Sequence, residues 1–185
     1  MKKFPLLLII LSFVISIVSC SSDDYDYSQY DEWREANNTW LAEQEALKVN
    51  GEAYYQKVVP SYDNGQYVLM HWFNDRSKTA GNLQPYYTST VDVKYIGRLY
   101  DDEAFDSSYL NTETYGDSIY RTKLTSVISG WAIALQEMHV GDSVEVIIPY
   151  QSAYGLTGSG STILPFSNLK FNIKLVNIPY WEINQ

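Results

Sequence analysis

The sequence predicts an α+β fold in which an antiparallel sheet wraps one short helix, with a second helix in front of the sheet. Three observations predict this fold. Apolar and polar residues alternate in several segments after residue 54, as they do in half-buried strands. Residues 130–138 form the one clear internal segment that repeats apolar residues at helical spacing. Residues 28–50 repeat tryptophans at the same spacing, ahead of all the strands. Many strands with a single internal helix indicate a sheet packed onto that helix.

Composition excludes several classes of protein. The 185-residue chain has 13 basic and 22 acidic side chains and a formal net charge of −9, so nucleic acid is not expected as a partner, because phosphate contacts need lysine and arginine. Apolar residues make up 45% of the chain, which is enough to bury a core. One cysteine and two histidines exclude an internal disulfide framework and make a Cys/His zinc site very improbable.

The first residues have the order of a secretory signal. Two lysines precede an almost wholly apolar run over residues 4–18, which is short for a membrane span. We therefore expect residues 1–19 to be a signal peptide. The only cysteine, Cys20, follows at the expected cleavage point and resembles the lipidated cysteine of bacterial lipoproteins. That resemblance implies a lipid anchor on Cys20 and a location in the cell envelope, facing the periplasm or the cell surface. An ordinary signal with a coincidental cysteine is the alternative.

An acidic tether is expected over residues 20–27. Serines and aspartates directly follow the cysteine. Two interpretations stay open for this run. It is similar to a cell-surface export signal of some bacterial groups, and it is equally typical of a solvated spacer.

A helical segment is expected over residues 28–53. Ser28 is a candidate N-cap, Asp31 stands in the capping-box position, and Gly51 is a natural stop. One stripe of this helix carries Trp33, Ala36, Trp40 and Leu47. Two tryptophans on one stripe predict packing onto the following domain, and a partner-binding stripe is the alternative.

The remaining residues, 54–185, are expected to form one domain. Strands are predicted at 54–59, 66–73, 91–99, 143–149 and 169–175. Asn64-Gly65 is a strong turn signal between the first two strands. Residues 107–118 and 151–164 are rich in serine, glycine, asparagine and threonine and are expected to be loops.

Ordered motifs over residues 91–178 resemble the FKBP-type peptidyl-prolyl cis-trans isomerase domain. The motifs are Val91-x-Val93-x-Tyr95-x-Gly97-x-Leu99, Phe105-Asp106-Ser107-Ser108, Val127-Ile128-x-Gly130-Trp131, Ala153-Tyr154-Gly155, Ile163-Leu164-Pro165 and Leu169-x-Phe171. The resemblance implies a bent antiparallel sheet wrapped around a short helix, with an aromatic pocket between them. It identifies residues 54–185 as the isomerase domain.

The resemblance also assigns a site. It implies catalytic roles for Tyr95, Asp106, Trp131 and Tyr154, with Trp131 at the pocket floor. It implies substrate-binding roles for Phe105, Val127, Ile128, Ile163 and Phe171. The backbone N–H of Ile128 and the hydroxyl of Tyr154 would hold the carbonyl groups of the ligand. Neither a cofactor nor a metal is implied. The other interpretation of these aromatic residues is that they belong only to the core.

The implied function is a membrane-anchored isomerase that assists the folding of exported proteins by rotating X–Pro bonds. Its implied partners are proline-containing peptides or unfolded proteins, macrolide inhibitors, and the membrane through the lipid. An apolar cup with a few polar groups is typical of such a ligand site. The alternative is a non-catalytic peptide-binding or holdase-type surface lipoprotein, whose pocket binds peptides without isomerising them.

The chain departs from the family pattern at the lip of the pocket. Asp101-Asp102 stands where the family often has Asp-Gly, and Ser159 stands at a position that is often aromatic or histidine. The segment after Asp106 is longer than in the minimal domain, which leaves Tyr115 and Tyr120 as candidate lip residues. We therefore expect an intact floor, an altered lip, and weaker macrolide inhibition than in the minimal domain.

Overall fold

The structure is a computed structural model that describes residues 26–110 and 118–180. The predicted signal peptide, Cys20, most of the tether and the candidate lip residue Tyr115 lie outside the described residues. Among the described residues, no helix is both long enough and apolar enough to cross a membrane.

The N-terminal helix is shorter than predicted. A single 3-10 turn at Ser28–Tyr30 leads into helix α1, Asp31–Ala46. Ser28 does not cap the helix: its backbone N–H donates to Asp26 Oδ1 at 2.9 Å, and no side chain caps α1. The predicted capping box is therefore wrong, because the 3-10 turn moves the start of the helix three residues past Ser28.

A tight hairpin takes the place of the last predicted helical turn. Strands β1 (Lys48–Val49) and β2 (Glu52–Ala53) pair antiparallel. Asn50 and Gly51 join them with φ values of 54° and 87°, as a type I′ turn requires. The prediction that Gly51 ends the helix directly is therefore wrong, since Asn50-Gly51 forms a hairpin turn after the helix has ended at Ala46.

Seven antiparallel strands form the main sheet in the described part of the chain. They are β3 (Gln56–Val58), β4 (Val68–Trp72), β5 (Thr90–Arg98), β6 (Ala104–Ser107), β7 (Tyr120–Lys123), β8 (Ser143–Ile148) and β9 (Leu169–Tyr180). The order is β3-β4-β8-β9-β5-β6, and β7 also pairs with β5. The α+β prediction is confirmed. The turn predicted at Asn64-Gly65 is present between β3 and β4. Strands β6 and β7 have no counterpart among the predicted strands, because each has only four residues and no extended apolar alternation.

Helix α2, Ser129–Gln136, packs on one face of this sheet. The stripe predicted for it is buried throughout and comprises Trp131, Ala134, Leu135 and Met138. The helix lies very close to β8, since a Cβ on Gly130 would stand 2.3 Å from Ile148 Cγ2. Only glycine fits at that position.

Helix α1 covers the opposite face of the sheet. Trp40 packs against Leu69 of β4 and Ile147 of β8, which are direct partners in the register. Their neighbours Met70 and Val146 belong to the core around α2, because successive side chains on a strand alternate between faces. Trp33 of the same helix packs against the core around α2. The prediction that the two tryptophans pack onto the following domain is confirmed. Leu47 of the predicted stripe, however, is exposed and lies past the end of α1.

A buried polar pair ties α1 to the loop before β9. Asn37 is 0% exposed, and its Oδ1 accepts the backbone N–H of Asn168 at 2.8 Å. The Asn37 carbonyl accepts Nδ2–H of Asn168 at 2.7 Å. Asn168 Oδ1 in turn accepts the N–H of Tyr150 at 2.8 Å, so the network reaches the loop that follows β8.

Asn37→Ala should lower the free energy of unfolding by about 1–3 kcal/mol, because it leaves the buried Asn168 N–H without an acceptor. The matched control is Asn38→Ala, the next residue on the helix, whose side chain is exposed. That control should change the stability by less than about 0.5 kcal/mol. Urea unfolding measures the free energy of unfolding of both variants. Equal losses of this free energy in the two variants would show that the Asn37–Asn168 pair does not stabilise the fold.

Candidate active site

A cavity of about 350 Å³ opens beside the N-terminus of α2. It is lined by Tyr95, Phe105, Asp106, Tyr120, Ser126, Val127, Ile128, Trp131, Tyr154 and Phe171. Every sequence-predicted site residue except Ile163 is in this set. Five elements of the chain converge here, β5, β6, β7, α2 and β9, together with the segments on either side of α2.

Three aromatic rings form the floor, and Trp131 is perpendicular to the other two. The ring of Trp131 lies 4.9 Å from that of Tyr95 and 5.3 Å from that of Phe171, with interplanar angles of 86° in both pairs. All three side chains are buried. Edge-to-face pairs at such distances are favourable beyond the area they bury. The floor is therefore both part of the core and the apolar base of the cavity.

Gly97 of β5 lets two rings approach the sheet. In the register, Gly97 lies opposite Asp106 on one neighbouring strand and opposite Phe171 on the other. A Cβ at this position would stand 2.7 Å from both Phe105 Cζ and Phe171 Cε1. The absence of a side chain at Gly97 therefore allows Phe105 and Phe171 to meet at 5.6 Å and 90° across the strand.

The hairpin between β5 and β6 keeps its shape without glycine. Asp102 adopts a left-handed φ of 70°, which aspartate tolerates better than most residues. Its carboxylate also forms an ion pair with Lys170 of β9. The Asp-Asp departure from the family pattern therefore leaves Phe105 and Asp106 in place on β6.

Asp106 is fixed at the cavity wall by two donors. The Tyr95 hydroxyl donates to Asp106 Oδ2 at 2.5 Å, and the Ser107 N–H donates to Oδ1 at 2.8 Å. Burial, and then the bond to Asp106, raises the pKa of Tyr95 well above its usual value. Tyr95 therefore stays protonated at neutral pH and remains the donor in this pair. Both oxygens of Asp106 already accept hydrogen bonds, so the carboxylate is a fixed polar group.

The Tyr154 hydroxyl and the Ile128 N–H are hydrogen-bond donors at the cavity that have no partner within the described residues, as are the side-chain donors of Tyr120, Ser126 and Trp131. The side chain of Tyr154 is 38% exposed. Burial, with the charge of Asp106 and the neighbouring Tyr120, raises its pKa, so the hydroxyl is neutral and can donate. Ile128 lies one residue before α2, and its carbonyl accepts from Trp131 and Ala132. A bound ligand can accept from both the Tyr154 hydroxyl and the Ile128 N–H.

The structure places one candidate lip residue at the cavity, adds one lining residue and leaves one assigned residue out. Tyr120, one of the two candidate lip residues, lines the cavity with its ring 5.6 Å from that of Tyr95. Ser126 also lines it, and nothing in the sequence marks this small polar residue in a loop. Ile163 instead lies in the buried core cluster, and its backbone pairs with Ser159 through bonds of 2.7 and 3.2 Å.

Comparisons with known proteins match this region of the chain. The family model for FKBP-type peptidyl-prolyl cis-trans isomerase matches residues 81–176, which contain every lining residue of the cavity. A solved peptidyl-prolyl cis-trans isomerase from Pseudomonas syringae is 29% identical and superposes with a TM-score of 0.63. The superposition covers 80% of this chain and 95% of that one.

Two curated relatives are similar over the same part of the chain. The macrophage infectivity potentiator of Trypanosoma cruzi is 39% identical over 106 residues, which are 57% of this chain and 52% of the relative. The outer membrane protein MIP of Legionella longbeachae is 38% identical over 95 residues, which are 51% of this chain and 39% of the relative. The matched region is therefore about half or less of the length of these relatives.

Proposed function

We propose, because the chain belongs to the family of FKBP-type peptidyl-prolyl cis-trans isomerases, that it catalyses rotation about X–Pro bonds of polypeptides. The observation that carries the proposal is the cavity itself. A floor of three buried rings lies beside two unpartnered donors, the Ile128 N–H and the Tyr154 hydroxyl. These are the features that a proline ring and its adjoining carbonyl groups require.

The chemistry needs no covalent step. Amide resonance opposes rotation of the peptide bond with a barrier of about 18–20 kcal/mol. The planar amide is more polar than the twisted transition state, so an apolar cavity favours the twisted state relative to water. Such differential binding lowers the barrier. Burial of the proline ring contributes about 0.8 kcal/mol per methylene to holding the substrate.

The residues that the sequence assigned to the site have the following roles in this proposal. The rings of Trp131, Tyr95 and Phe171 receive the proline ring, and Phe105 and Val127 narrow the cavity beside them. The Ile128 N–H and the Tyr154 hydroxyl donate to substrate carbonyl oxygens. Asp106, held by Tyr95, supplies a fixed negative group at the wall and does not act as a base. Ile163 has a supporting role behind the site. Weaker inhibition by macrolides than in the minimal domain remains a prediction.

The full chain, kept in detergent, should accelerate cis–trans exchange of an X–Pro peptide. Uncatalysed exchange takes tens of seconds, so acceleration is easily measured. Tyr154→Phe removes one donor and should lower kcat/KM about tenfold, the equivalent of one lost hydrogen bond of about 1.4 kcal/mol. Asp106→Leu should also lower kcat/KM.

Tyr109→Phe is the control for that experiment, because this exposed tyrosine does not line the cavity. It should keep the activity of the unaltered chain. If the well-folded chain does not accelerate the exchange, the proposed isomerase activity is contradicted. The alternative is then a protein that binds peptides without isomerising them, as a holdase does.

A cell-envelope location, with a lipid on Cys20, is part of the proposal. Its support is the signal-like order of residues 1–19 and the name of the Legionella longbeachae relative, an outer membrane protein. Residues 20–27 would then be the tether between the lipid and the folded part. An acyl chain would hold the isomerase at a membrane, where exported polypeptides emerge unfolded.

Cys20→Ser should abolish acylation and move the protein from the membrane fraction to the soluble fraction. Fatty-acid labelling and fractionation of cells that express each form measure this. Ser22→Ala, two residues along the same segment, is the control and should keep both label and membrane association. Persistent labelling in the Cys20→Ser variant would overturn the anchor.

A further inference from the structure

A second cavity, of about 600 Å³, lies beside the first. Val127 lines both cavities. On the far side of Val127, the second cavity is enclosed by Ala132 and Gln136 of α2 and by Tyr62, Gln66 and Tyr87 from two loops. Nothing in the family motifs of the sequence accounts for it, since the loop residues all precede those motifs.

Two features of this cavity point to a ligand. Tyr62 and Tyr87 are 67% and 52% exposed, so two large aromatic side chains face solvent across one opening. Gln66 donates through Nε2 to Asp63 Oδ2 at 3.0 Å, while its Oε1 is buried and has no partner in the described part of the chain. A buried acceptor without a donor is costly, and a ligand N–H would satisfy it.

We propose that this second cavity binds the substrate polypeptide next to its proline and takes an aromatic side chain from it. The proposal rests on the proposed function and names the substrate feature that the enzyme prefers. A peptide N–H of the bound segment donates to Gln66 Oε1, and the aromatic side chain packs between Tyr62 and Tyr87.

The shared wall at Val127 identifies the occupant. A polypeptide held by its proline in the first cavity must continue away from it, and one route passes directly over Val127. If each cavity is taken as a sphere of its volume, two spheres that touch at Val127 have centres about 10 Å apart, which an extended chain covers in about three residues. The preferred aromatic residue therefore stands about three positions from the proline.

Peptides that differ only at that position test the proposal. The probes are peptides with phenylalanine three residues before or three residues after the proline, their alanine counterparts, and Ala-Ala-Pro-Ala. For one of the two phenylalanine peptides, the full chain should show a kcat/KM about two- to tenfold above that of its alanine counterpart. Combined Tyr62→Ala and Tyr87→Ala substitution should abolish this preference and leave turnover of Ala-Ala-Pro-Ala unchanged.

Tyr86→Ala is the matched control. Tyr86 is 52% exposed, like its neighbour Tyr87, and it does not line the second cavity. The control should keep the preference. Equal kcat/KM for phenylalanine and alanine peptides would overturn the proposal. A preference that survives the double substitution, or a double variant that also slows Ala-Ala-Pro-Ala, would overturn it as well.

If the chain is not an isomerase, the same peptides give a different set of results. If none of the peptides is isomerised, titration of the same peptides still tests the second cavity by affinity. Tighter binding of one phenylalanine peptide, lost in the double variant, supports the site in a protein that only binds. Equal affinities overturn it.

Discussion

The perpendicular packing of Trp131 against Tyr95 and Phe171 is the contact on which both core and site depend. It joins helix α2 to the neighbouring strands β5 and β9. The same rings exclude water from the base of the cavity, which gives a proline ring an apolar receptor. Stability and catalysis therefore depend on the same contacts. A substitution that weakens the packing of these rings should reduce both.

The sheet register brings the polar wall to this floor. Gly97 lies between Asp106 and Phe171 across three strands, so a carboxylate and an aromatic ring occupy one row. The missing side chain at Gly97 provides the space for the rings, and Tyr95, two residues back along β5, fixes the carboxylate. No residue of this row needs to ionise or react. The arrangement suits a reaction in which only a torsion angle changes.

The sequence predicted the parts of the fold that have a local period. The alternation over β5 and β9 and the helical stripe of α2 are confirmed. Of the nine residues that the sequence assigned to the pocket, eight line the cavity. The bonds between Asn37 and Asn168 span 131 positions of sequence, so no local pattern reveals them. The second cavity is missed for the same reason, because Tyr62, Tyr87 and Ala132 meet only after folding. Ile163 shows the limit of transferring a role by motif, since it lies in the core behind the site.

The central claim is that the aromatic cavity receives the proline ring while the Ile128 N–H donates to the substrate. Titration of ¹⁵N-labelled protein with Ala-Ala-Pro-Ala, followed by amide and indole resonances, tests it most directly. The largest shifts should be at the Ile128 amide and the Trp131 indole N–H, with smaller shifts along α2. Saturating peptide that perturbs only residues remote from the cavity, such as the β1–β2 hairpin, would contradict the claim.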